Sequence, residues 1–309
     1  MTTDAAERTE AAPGPFPGTA TAHSTPRPPS GSADADGVPA LSASIAHLLV
    51  SKSALHAWTA HPRLNPNYRQ EESAEFDYGR AAHSCLLEGD ESSLVVIEAD
   101  DWRKKDAKEA RDAARTEGKT PLLVRQMHKV RAMVRAAKEY IAASEIPDVF
   151  STGKPEVSLH WREGPTHCRG RLDWLTDDHR LVMDYKTTVS ANPHSFVGMA
   201  IGYGYAMQEA FYRRGVKAVY GKEPAFVFLL QEKELPYACS LVAFDPAMQE
   251  IGDRQAEHAL ALWATYMQRN EWPGYPRRVA YLEPPAWYMA RDDERRQEVD
   301  EMIPYWEQG

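Results

Sequence analysis

From residue 41 onward, apolar positions recur at spacings that a helix would gather on one face. Ser42-Ala43-Ser44 precedes Ile45, Leu48, Leu49 and Leu55, which predicts a capped, amphipathic helix packed on a core. A second helix is expected over Phe76–Leu87, with Gly79 and His83 one turn apart on one face. Residues 101–119 are a run of mixed charges that reads as a solvated helix with Lys104, Lys105, Lys108, Arg111 and Arg115 near its surface; the other reading is a phosphate-contacting arm. Met127, Val130, Val134 and Ile141 mark a core helix over about 124–143.

The period then changes. Glu156–Trp161, Cys168–Leu175 and Leu181–Lys186 are short β-type runs separated by turn residues such as Glu163-Gly164-Pro165 and Asp177-Asp178-His179, which predicts an antiparallel meander. A helix over about 194–214, strands at 225–231 and 237–244, and a helix over about 246–270 complete the reading. No internal repeat is present. Helices around a block of strands predict an α/β or α+β fold with helices covering the sheet.

Residues 1–40 are rich in Pro, Ala, Gly, Ser and Thr and nearly devoid of large apolar side chains, so a disordered tail is expected there. The remainder, 41–309, reads as one domain with a helical N-terminal part (41–150) and a core carrying the chemistry (151–309). With 43% hydrophobic and 26% charged residues, the chain has the composition of a soluble globular protein. It lacks an apolar run of membrane-spanning length and a basic-then-apolar leader, so a cytoplasmic protein without a membrane partner is expected. Cys85, Cys168 and Cys239 are scattered and odd in number, which suggests neither a disulfide framework nor a metal knuckle. The formal net charge of −9 disfavours nucleic-acid binding over the whole surface, yet leaves room for a local basic channel, for which Arg169, Arg171, Lys104 and Lys105 are candidates.

The chemistry concentrates at Asp184-Tyr185-Lys186. Residues two apart on a strand share a face, so a carboxylate and an ammonium stand side by side, and Asp173 on the preceding strand can join them. Two carboxylates and a lysine suit Mg²⁺, or Mn²⁺ in its place, as hard cations that leave positions for water and phosphate. Alone, Asp-x-Lys also reads as a surface ion pair. Leu181-Val182-Met183 shifts the balance, because a buried strand leading to these charges makes an unused charge costly. Glu156 is a third carboxylate or a solvated strand-end residue. His83 is a metal ligand or an ordinary helix histidine. Gln208 and Tyr212, four apart on a helix, are a phosphate- or base-holding pair or a surface pair.

The ordered series Gly79-x-x-x-His83, Glu156, Gly170-Arg171-Leu172-Asp173, Asp184-Tyr185-Lys186 and Gln208-x-x-x-Tyr212 resembles the PD-(D/E)XK nuclease superfamily, in particular its RecE-like (exonuclease VIII) branch of phages and prophages. Ser42-Ala43-Ser44, Trp102-Arg103-Lys104 and Trp272-Pro273-Gly274-Tyr275 are similar to that group as well. The resemblance implies a central mixed sheet flanked by helices. It implies metal ligation by Asp173, Asp184 and His83, a catalytic Lys186, a supporting Glu156, and Gln208, Tyr212 and Arg171 beside the DNA. Leu172 stands where the superfamily name has proline. The implied activity is exonucleolytic digestion of linear duplex DNA, 5′ to 3′, leaving 3′ single strands for recombination by an annealing protein, in a homo-oligomer. A structure-specific endonuclease and a non-catalytic DNA-binding relative are the alternatives. A relative with an iron–sulfur cluster is disfavoured, since four cysteine ligands are needed.

Overall fold

In the β-rich half of the chain, alternation of apolar side chains builds a sheet with two buried faces. The computed structural model describes residues 37–69 and 74–306; the expected tail falls almost wholly outside them. Strands β3 (Gly153–Glu163), β4 (Thr166–Thr176), β5 (Leu181–Thr188), β6 (Ala225–Glu232) and β7 (Cys239–Val242) lie in that spatial order. β3, β4 and β5 form the expected antiparallel meander, β6 runs parallel to β5, and β7 is antiparallel to β6. The sheet is therefore mixed. On β6, Phe226, Phe228 and Leu230 enter one core while Leu229 enters the other, as a period of two dictates.

Helices cover both faces. The larger core joins the sheet to α1 (Ala43–Ser51), α2 (Ala54–Ala60), α6 (Pro193–Tyr203), α7 (Tyr205–Tyr220) and α8 (Pro246–Arg269). The smaller one joins it to α3 (Ala74–His83) and α5 (Val124–Ala142). Trp272, Gly274 and Tyr275 pack back on this body, with Trp272 against Trp263, Gly274 opposite Leu55, and Tyr275 near His56. The described residues up to 275 make one compact unit. The C-terminal part of the other unit holds α9 (Ala286–Trp306), a helix the sequence reading did not anticipate. Among the described residues, no helix is long and apolar enough to cross a membrane.

Several boundaries differ from expectation for identifiable reasons. The first predicted helix is two: Ser42 caps α1, the chain turns at Lys52, and Ser53 caps α2, leaving Leu55 exposed. The helix expected over 194–214 breaks at Gly204, which takes φ +70° with the His47 ring packed against it. Two short parallel strands, β1 (Leu94–Ile97) and β2 (Thr120–Leu123), flank α4 (Lys105–Thr116). β2 was missed because four residues containing Pro121 give little strand signal. Of the charges placed on the wet face of α4, Arg115 points inward instead and pairs with the buried Asp77 of α3.

Candidate active site

The site forms where β4 and β5 part. Their ladder consists of Trp174–Met183 and Leu175–Val182 and goes no further. Continued, it would set Leu172 opposite Tyr185. Instead the Asp173 carboxylate accepts the backbone N–H of Tyr185 at 2.9 Å, taking the place of a strand carbonyl. Further along the same edge of β4, Leu41 is hydrogen-bonded to His167 and Arg169, so the opening is bounded at both ends. Leu172 is fully buried and pairs with Val157 inside this sheet, where a proline would lose a ladder hydrogen bond. Its departure from the superfamily name is thereby explained.

From one face of the sheet come Asp184 and Lys186, two apart on β5 and joined by an ion pair. Asp184 is 1% exposed. Its second oxygen accepts a hydrogen bond from Gln208 Nε2 on α7 at 3.0 Å. The Lys186 ammonium lies 5.0 Å from the centre of the Tyr205 ring, a cation–π contact. Tyr212, one turn beyond Gln208 and in hydrogen-bond contact with it, packs on Gly170. A Cβ at Gly170 would stand 3.1 Å from that ring, which accounts for the glycine of the Gly170–Asp173 run.

From the other face comes His83, at the end of α3. Its Nε2 is 3.0 Å from Asp173 Oδ2 and its Nδ1 3.0 Å from Glu156 Oε1. Glu156 does not open its strand as expected; it is the fourth residue of β3, an edge strand, with φ +54°. The pairing of β3 with β4 skips it, between Pro155–Trp174 and Val157–Leu172. This unusual backbone accompanies a side chain that meets both His83 and the Arg171 guanidinium, the latter at 2.7 Å. Arg171, expected at a DNA channel, thus lies beside Glu156, while Lys105 pairs with Glu109 on the exposed side of α4.

The electrostatics follow from these contacts. Burial pushes the Asp184 carboxyl up to about 6, with Asp173 adding to the rise and Lys186 opposing it. Burial acts the same way on Asp173, but His83, Lys186 and the Tyr185 N–H outweigh it and hold that carboxyl below its ordinary value. Burial would discharge His83; Asp173 first, then Glu156, prevail and push it up to about 10. Lys186 is likewise held charged against burial, chiefly by Asp184. A neutral imidazole has one N–H, so the two carboxylates on the ring require the imidazolium. Two carboxylates on one imidazole, with Asp184 on the adjoining strand, are also a donor set for a hard divalent cation, which would take their charge in place of that proton.

Eight of the residues picked from the sequence are found here: Asp173, Asp184, Lys186, Glu156, Gln208, Tyr212, Arg171 and His83. One neighbour was missed. Glu88 brings a carboxylate oxygen to a group with His83 and Glu156 in which the ligand atoms lie within 4.8 Å of one another. It lies in a π-helical turn, Ser84–Glu88, that no helical periodicity could have signalled.

None of the curated proteins matches the chain. Among solved structures it is similar to a candidate exonuclease from Eubacterium rectale, with TM-score 0.54 and 12% identity over 80% of this chain and 90% of that one. It also matches an alkaline exonuclease from Laribacter hongkongensis, with TM-score 0.26 and 15% identity over 62% of this chain and 97% of that one. The family described as a PDDEXK-like domain of unknown function (DUF3799) matches residues 51–285, a stretch that contains every residue of the site. The chain belongs to this PD-(D/E)XK-like family, whose nuclease-type fold is the one described above.

Proposed function

We propose that the protein is a Mg²⁺-dependent deoxyribonuclease, with Mn²⁺ able to substitute, that degrades linear double-stranded DNA from its ends. The observation that carries this reading is the convergence, in one sheet opening, of Asp184 paired with Lys186 and Asp173 paired with His83. Two carboxylates so placed repel one another, and a divalent cation bound between them would offset that repulsion. A divalent cation bound there would polarise a phosphoryl oxygen and lower the pKa of an attacking water. Asp173, Asp184 and His83 would be its ligands. Lys186 orients the water or meets the charge growing on the phosphoryl oxygens as the P–O bond breaks. Gln208 fixes the Asp184 carboxylate, and Tyr212 backs Gln208. Glu156 holds His83 and, with Gln208, Tyr212 and Arg171, lies where the DNA strand passes.

Digestion from the 5′ end, leaving a 3′ single strand for an annealing partner in recombination, is the finer form of the proposal, and a homo-oligomer would make it processive. The test compares linear duplexes labelled at either end with a covalently closed circle, with Mg²⁺ and with chelator. Mg²⁺-dependent loss of the 5′ label from linear DNA, with the circle intact, is expected. Comparable cutting of the circle would make the protein an endonuclease, and no metal-dependent digestion of any substrate would overturn the enzyme reading.

A further inference from the structure

One face of the β3–β4 hairpin is not used by the reading above. Along both strands the apolar residues Leu159, Trp161 and Cys168 go to the larger core, where Leu159 and Trp161 lie against Gly215 of α7. A period of two turns the residues between them to the opposite face. There Ser158 stands across from Arg171, His160 from Arg169, and Arg162 from His167. Ser158, His160 and Arg162 are exposed, and His167, Arg169 and Arg171 are partly buried. Three arginines and two histidines thus form a ladder with no carboxylate in it, in a chain with 45 acidic residues to 36 basic ones. Glu163, the acidic residue at the end of β3, is held on the α7 side by Arg214 and Trp161. Among the described residues no carboxylate is ion-paired with Arg162 or Arg169, whereas Arg171 meets Glu156 beside the opening.

We infer that this ladder is the track for the sugar–phosphate backbone of the DNA strand held at the opening; the inference rests on the nuclease reading of that opening. Its place and length carry it. The ladder begins at Arg171, two residues from Asp173 on β4, and runs away from the opening to His167. Six residues of strand from Asp173 span about 20 Å, the length of about six phosphates on one strand of duplex DNA. A row of cations so placed offsets the repulsion that DNA meets from a chain of net charge −9. Charges on an edge strand such as β3 also prevent association between sheets. That role asks nothing of β4, an inner strand, and does not select one sign of charge.

The test is binding of a fluorescently labelled linear duplex to the full chain in chelator, so that no cleavage intervenes, followed by anisotropy at several salt concentrations. Arg162→Gln and Arg169→Gln are each expected to weaken binding by roughly three- to tenfold and to lower the slope of log affinity against log salt by about one. The double glutamine variant should lower the slope by about two, and the double lysine variant, which keeps both charges, should keep it. Arg254→Gln, exposed on α8, should bind as wild type. Wild-type affinity and slope in the double glutamine variant would overturn the inference and leave the nuclease reading standing. An equal loss in Arg254→Gln would overturn it too, as a diffuse effect of charge. No duplex binding by wild type would also overturn it, and the nuclease reading would then stand or fall on the cleavage assay alone.

Discussion

Asp184 and Lys186 offset the cost of burial chiefly through each other, with Gln208 on the carboxylate and Tyr205 beside the ammonium in support. Asp184 is almost fully enclosed, and the Lys186 side chain is 18% exposed. Removing one member of such a pair leaves an uncompensated charge, at about 3 kcal/mol or more, whereas replacing both with neutral groups of similar size costs far less than twice that. A cycle of Asp184→Asn, Lys186→Met and the double variant should therefore be strongly non-additive in urea unfolding, with a coupling of at least about 1–3 kcal/mol. Additive losses would show that the pair is not the stabilising contact, and DNA cleavage is expected to be abolished in all three variants. The pair was legible because a period of two puts Asp184 and Lys186 on one face of a strand whatever the tertiary context. Asp173 was legible only as a neighbour. Its use of a side-chain oxygen in place of a ladder carbonyl depends on the parting of β4 and β5, which no local pattern records. Glu88 was illegible for a related reason, since the π-turn that aligns it with His83 violates the helical period on which sequence reading relies.

At the scale of elements, α7 carries the polar support of the site on one side and packs on α8 with the other. The α7–α8 contact is close: a Cβ at Gly252 would stand 2.2 Å from the Ala206 carbonyl oxygen. Within it lies Glu209, with no exposure, accepting a hydrogen bond from Gln249 at 2.7 Å and facing Arg213 at 3.4 Å. Burial pushes its carboxyl from an ordinary 4.5 up to about 7, against the opposing pull of Gln249 and Arg213. A carboxyl raised on folding binds a proton in the native state, so its cost is absent below about pH 4.5, grows as pH rises, and is complete above about pH 7. Glu209→Gln keeps the acceptor for Gln249, and Arg213 retains Asp253 and Glu223. The variant should match wild type near pH 4.5 and exceed it above pH 7 by on the order of 2 kcal/mol in urea unfolding. An unchanged difference across that range would refute the assignment. The elements themselves were largely legible: β3 to β6, α5, α7 and α8 follow from periodicity and turn residues. The breaks at Lys52 and Gly204 and the short β1–β2 pair were not, because caps, a left-handed glycine and a four-residue strand leave faint traces beside the longer apolar pattern.

Across the whole molecule, the sheet separates two cores, and the opening between β4 and β5 is where groups from both sides meet: His83 from α3 on one, Gln208 from α7 on the other. The site concentrates carboxylates in a chain whose formal net charge is already −9. His83 supplies a balancing charge as an imidazolium bridging Asp173 and Glu156, so a divalent cation must compete with that proton, and its binding should strengthen as pH rises. The unfolded chain does not bring these groups together, so cation binding adds stability by mass action, about 2.7 kcal/mol at a hundredfold excess over the dissociation constant. For a protein of this size that corresponds to a rise in melting temperature of roughly 5–10 °C. Millimolar Mn²⁺ should therefore raise the melting temperature over a chelator control, by more at pH 8 than at pH 6. Asp173→Asn and Asp184→Asn should each shrink the rise, whereas Glu209→Gln, on the side of α7 that packs on α8, should leave it intact. Equal melting temperatures with and without metal at both pH values would mean that the carboxylates are neutralised entirely from within, by His83, Arg171 and Lys186, and that the opening is a closed ion-pair network instead of a metal centre.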